Sequence, residues 1–132
     1  MKRLGLLIAP LLLASCSSGI GRPVSEVTAH ADARGVQHVR VVTHTFWFEP
    51  NRVVVKAGMP VELTVKNSAW FVPHNFSCMA PEAGIDVHVD VGMFRAQHAV
   101  RFTPNQPGEY GFFCHEDAHA KKGMKGTIVV VP

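Results

Sequence analysis

From Val36 onward the chain alternates apolar and polar positions with a period of two. In "MPVELTVKN", Val61, Leu63 and Val65 alternate with Glu62, Thr64 and Lys66, which predicts a strand with one buried and one wet face. "IDVHVDVG" repeats the pattern, and "VQHVRVVTHTFWFEP" and "RVVVKAG" are rich in β-branched and aromatic residues. "AVRFTPNQPGEYGFFC" reads as strand, Pro-rich turn and strand, and "GTIVVVP" as a final strand. Pro50-Asn51, Gly58 with Pro60, and Asn67-Ser68 supply turn chemistry between the runs. "CMAPEAGI" has room for a short turn, and no stretch keeps a helical period. Many short strands at regular spacing predict one all-β domain over residues 36–132, a β-sandwich of Greek-key type.

The preceding residues have a different character. Residues 16–35 are small and polar, with Gly19, Gly21 and Pro23, and read as a flexible tether, with a poorly formed first strand as the alternative. Residues 1–15 open with Met1-Lys2-Arg3 and continue in the apolar run Leu4 to Leu13. That run is too short for a stable bilayer span and reads as an export signal. Its ending, Leu13-Ala14-Ser15-Cys16, resembles a bacterial lipobox. The resemblance implies lipidation of Cys16 as the mature N-terminus, whereas a plain signal would be cut after a residue such as Ala14. Acyl chains on Cys16 would anchor the protein to a membrane of the cell envelope, facing the periplasm or exterior, without spanning it. Ser17 is compatible with outer-membrane sorting.

Removing the leader takes away Lys2 and Arg3, which reduces 13 basic residues to 11 against 10 acids. With no basic cluster larger than Lys121-Lys122, nucleic acid is not an expected partner. Export also implies an oxidising compartment, so Cys78 and Cys114 could pair, or one of them could serve another purpose.

The last strands enclose that other purpose. "CHEDAHAKKGM" holds Cys114, His119 and Met124 with four residues in each gap. A loop between two strands could bring them to one point, and His74 in "WFVPHNFSC", placed at the end of an apolar strand, supplies a fourth donor from another loop. One thiolate, two imidazoles and a thioether suit blue copper, whereas zinc prefers a harder ligand or a thiolate to a thioether.

"FEPNRVVVKAGMPVELTVKN", "PHNF" and "GEYGFFC…H…GMKGTIVVV" together resemble the cupredoxin family over about Val36 to Pro132. The resemblance implies an eight-stranded sandwich with type 1 copper at one end, held by His74, Cys114, His119 and Met124. The ligand loop looks most like that of rusticyanin and auracyanin. Asn75 would tie the two ligand loops by hydrogen bonds, and Phe76, Phe112 and Phe113 would keep water off the metal. His119 would be the electron port of a monomeric single-electron carrier, not an enzyme. Its partners would be a cytochrome, a terminal oxidase or a reductase.

Two residues leave other readings open. His115, directly after Cys114, also matches multicopper oxidase domains. A second copper cluster would need a histidine before the cysteine and His-x-His pairs, yet Phe113 precedes Cys114 and no such pair occurs. His115 is therefore read as solvent-facing or supporting, with metal contact as the alternative. Cys78 is read as a buried free thiol. If it bound Cu(I) or paired with Cys114 it would favour a copper-delivery protein instead. His30, His38, His44, His88 and His98 lack companions at ligand spacing.

Overall fold

The computed structural model describes residues 22–132. The leader, Cys16 and the start of the tether lie outside the described residues. The strands are β1 (Glu26–Thr28), β2 (His30–Ala31), β3 (Gln37–His44), β4 (Trp47–Glu49), β5 (Arg52–Lys56), β6 (Val61–Asn67), β7 (His74–Ala80), β8 (Ile85–Gly92), β9 (Gln97–Phe102), β10 (Gly108–Phe113) and β11 (Lys125–Val131). A single 3-10 turn at Pro81–Ala83 links β7 to β8, where the sequence left room for one.

Two sheets face each other. One runs β1-β5-β11-β10-β7-β8 and the other β2-β3-β6-β9, with β4 added beside β3. Alternation decides what each strand contributes. Val61, Leu63 and Val65 of β6 and Ile85, Val87, Val89 and Val91 of β8 point into the shared core. Phe48, Phe76 and Phe112 fill its centre; Phe76 and Phe112 stack at 4.4 Å, and Phe48 meets Phe112 edge-on at 5.1 Å.

Two expectations, the extent of the tether and the place of His74, need correction. The residues 16–35 tether does not extend through its second half, because β1 pairs parallel to β5 and β2 antiparallel to β3. Every residue of these two strands is exposed, so they add by backbone hydrogen bonds and an ion pair from Arg52 to Glu26 at 2.9 Å, and leave no apolar period to read. The expected all-β sandwich is present, with eleven strands among the described residues, of which the shortest, β1, β2 and β4, have only two or three residues each. His74 opens β7 and does not close a strand. It therefore sits at the end of the sandwich where β6, β8 and β10 finish and β11 begins.

Candidate metal centre

Three of the four sequence-predicted donors, His74, Cys114 and His119, converge at that end, and Met124 lies in the same loop as the latter two. His74 is the first residue of β7, Cys114 follows the last residue of β10, and Met124 immediately precedes β11. The candidate ligand atoms of His74, Cys114 and His119 all lie within 4.8 Å of one another. Cys114 Sγ is 3.5 Å from His119 Nδ1, and the His74 and His119 rings are 5.1 Å apart. Met124 is wholly buried, and His119 keeps 8% of its surface exposed.

Backbone hydrogen bonds shape the loop between β10 and β11. The Met124 N–H donates to the His119 carbonyl at 3.1 Å, and the Cys114 N–H donates to the Met124 carbonyl at 3.2 Å. The three loop residues are thus fixed to each other before any metal arrives. Asn75 joins this loop to β7. Its Oδ1 accepts the His115 N–H at 2.7 Å, its Nδ2 lies 3.4 Å from Glu116 Oε1, and its own N–H points at Cys114 Sγ at 3.5 Å.

His74 supplies the sharpest physical clue. Both its ring nitrogens are buried without a hydrogen-bond partner. Buried polar atoms are rarely left so, because each loses its water without compensation. Burial, reinforced by the nearby imidazoles of His119 and His44, lowers its pKa to about 4. The ring is therefore neutral at neutral pH, with a lone pair to offer. Burial also pushes the Cys114 thiol up, against hydrogen bonds from the Asn75 and Glu116 backbone. A cation among these donors would take up one of the two orphaned nitrogens and hold the thiolate, so the residues fit a soft or borderline metal ion.

Phe76 and Phe112, each two residues from a donor along the chain, are buried in the core. Phe113 is not: strand alternation turns it to the outer face, half-buried, with its ring 4.6 Å from His115. His115 is exposed there and lies 5.7 Å from the ring of His88. Cys78 faces the core from β7, a free thiol whose pKa burial raises to about 11. Among the described residues, neither belongs to the three-donor group.

Two contributors escaped the sequence reading. Phe46 packs edge-on against His119 at 4.9 Å, and Lys122 Nζ lies over the Phe46 ring, 4.0 Å from its centroid. Its left-handed backbone, φ 65°, is a conformation that a phenylalanine does not advertise. Asn67, which passed for turn punctuation, is fully buried and holds the segment leading to His74. Its Nδ2 donates to the carbonyls of Val72 at 2.8 Å and Gly92 at 2.6 Å. Its Oδ1 accepts from the Ala69 N–H at 2.8 Å and the Thr43 hydroxyl at 3.3 Å.

Known proteins share this architecture. The cupredoxin-like domain family matches residues 5–130. The metal-binding domain of the Cu(I)-exporting P-type ATPase CopA of Streptococcus pneumoniae D39 is 23% identical, with a TM-score of 0.64 over 83% of this chain and 99% of that one. Auracyanin of Roseiflexus castenholzii is 22% identical, with a TM-score of 0.65 over 78% of this chain and 100% of its own. Rusticyanin of Thiobacillus ferrooxidans is 22% identical, with a TM-score of 0.61 over 80% and 82%. No curated protein matches the chain. With a family model spanning nearly the whole sequence and the same two-sheet sandwich in the structure, the chain belongs to the cupredoxin-like family.

Proposed function

We propose that His74, Cys114, His119 and Met124 hold one copper ion and that the domain carries single electrons between redox proteins of the bacterial cell envelope. The observation that carries this reading is the buried His74 imidazole, free of hydrogen bonds, grouped with Cys114 and His119. Copper held by two imidazoles, a thiolate and a thioether supplies a reversible one-electron couple. The chain's own residues do the rest. Asn75 and the loop backbone fix the donors in advance, so little has to move when the charge on the site changes. Phe76 and Phe112, fully buried two residues from His74 and Cys114, would help to keep water out. His119 offers the narrow exposed edge through which an electron would leave.

In this reading the domain is a carrier and not an enzyme. A cytochrome, a terminal oxidase or a reductase would exchange electrons with it, and lipid on Cys16 would keep it at a membrane face. The likeness to the CopA domain, crystallised with Cu(I), favours copper delivery as a second reading. Against delivery through Cys78, that thiol is 1% exposed on the core face and held protonated by burial.

One equivalent of copper added to the mature protein should give intense visible thiolate-to-copper absorption and an EPR signal with narrow hyperfine splitting. Cys114→Ser should abolish the band, and Cys78→Ser should keep it. A colourless copper-loaded protein would end the electron-carrier reading. Reversible voltammetry would favour the carrier over delivery.

A further inference from the structure

The metal end carries a second feature that copper binding does not use. Of the large apolar side chains exposed among the described residues, Trp70, Phe71, Met93 and Phe94 come from just two loops. Trp70 and Phe71 lie between β6 and β7, and Met93 and Phe94 between β8 and β9. Phe71 is 78% exposed and Phe94 63%, and their rings still meet edge-on at 6.2 Å.

The two loops are bolted together. The Phe94 N–H donates to the Trp70 carbonyl at 2.8 Å, and the Arg95 N–H to the Ala69 carbonyl at 3.1 Å. Asn67 bridges the carbonyls of Val72 and Gly92 just below. Phe94 and Arg95 both adopt left-handed backbone, φ 59° and 58°, which side chains with a Cβ avoid. The fold thus accepts strain and exposed aromatic surface at the same place. Arg95 lies 5.8 Å from the Trp70 ring centroid, an amphipathic pairing of cation and indole.

The chain's own N-terminal segment approaches the same end. The Arg22 guanidinium sits 4.3 Å over the Trp47 ring, Trp47 stacks on His44 at 4.0 Å, and His44 Nδ1 is 3.1 Å from Ser68 Oγ. Ser68 is two residues from Trp70. The residues before Arg22 include the apolar run Leu4 to Leu13 and Cys16. Six steps along the chain from Cys16 to Arg22 span at most about 20 Å. A membrane that holds Cys16, or the apolar run itself, therefore lies within reach of the aromatic loops.

We propose that Trp70, Phe71, Met93 and Phe94 insert into the interfacial layer of a lipid bilayer and hold the metal end of the domain against the membrane. Tryptophan and phenylalanine suit that layer, with apolar faces toward the acyl chains and the indole N–H and the Arg95 cation toward headgroups. The N-terminal segment supplies attachment, and the loops supply orientation. This goes beyond the copper reading, since it needs neither a metal nor an electron partner.

The chain has two tryptophans, so Trp47→Phe leaves Trp70 as the sole emitter. The full chain carrying that change would be bound to vesicles of phosphatidylglycerol and phosphatidylethanolamine, with and without bromine on the acyl chains. The expected result is a blue shift of Trp70 emission and its quenching by brominated lipid. Phe71→Ser with Phe94→Ser should weaken both while leaving the copper absorption unchanged. Should Trp47→Phe disturb folding, a Trp70→Phe chain that loses the bromine-dependent quenching seen in the parent gives the same answer. A chain that stays off the vesicles overturns the proposal. So does a vesicle-bound chain whose Trp70 remains fully open to aqueous acrylamide, which would assign the patch to a protein partner.

Discussion

Asn67→Ala tests how far the metal end depends on a residue that binds no metal. The side chain is fully buried and makes four hydrogen bonds, two as donor and two as acceptor. A hydrogen bond contributes about 1 kcal/mol net, and an unpaired buried partner adds to the loss. Gly92 is exposed and Ala69 half-buried, so water can reach their groups after the change. Thr43 is fully buried and cannot be rehydrated so easily. The expected destabilisation is about 2–4 kcal/mol, a sizeable part of a domain's whole stability. For a domain of this size that corresponds to a fall in melting temperature of about 10 °C or more. Thermal unfolding of the copper-free protein, followed by circular dichroism, measures it. The sharper test is comparison with Ser68→Ala, whose hydroxyl is only half-buried and donates to the Thr43 carbonyl at 2.8 Å. If Asn67→Ala loses no more than Ser68→Ala, the claim that Asn67 braces the approach to His74 is refuted.

Two further changes probe the ligand loop. A Cβ at residue 126 would collide with the Phe112 ring and come within 2.5 Å of the Asn51 carbonyl, so Gly126→Ala should displace β11 beside Met124 and destabilise the fold by about 2 kcal/mol, read by urea denaturation. Asn75→Ala releases the His115 N–H and the contact with Glu116. It should weaken copper affinity by about 10-fold or more and shift the visible band, read by competition with a chelator of known affinity.

The legible part of this protein is the part governed by alternation and spacing. Val61, Leu63 and Val65 declare a half-buried strand because their burial and their period are the same fact. Cys114 and His119 point to a candidate site because few other roles would set those side chains in one loop between two strands, and the structure groups them with His74. Edge strands were not legible, since Glu26–Thr28 and His30–Ala31 bury no side chain and pair mainly through backbone that all residues share, with one exposed ion pair from Arg52 to Glu26. The direction of Phe113 was missed because three successive residues, Phe112, Phe113 and Cys114, look equally apolar while the pleat turns the middle one outward. Phe46 and Asn67 act through a left-handed backbone and a buried amide, and neither leaves a pattern in a neighbouring residue.

The same bracing serves two surfaces, which separates their contributions. Asn67 holds the Val72 carbonyl, two residues before His74, and the Gly92 carbonyl, immediately before Met93 and Phe94. Its loss acts on the metal donors and on the aromatic loops together. Phe71 and Phe94 touch only the second of these, being exposed and outside the donor group. Copper absorption and membrane contact should therefore fall together in Asn67→Ala and come apart in Phe71→Ser with Phe94→Ser. If copper and membrane respond alike to both changes, the two surfaces are not independent. The aromatic loops would then belong to the metal site itself.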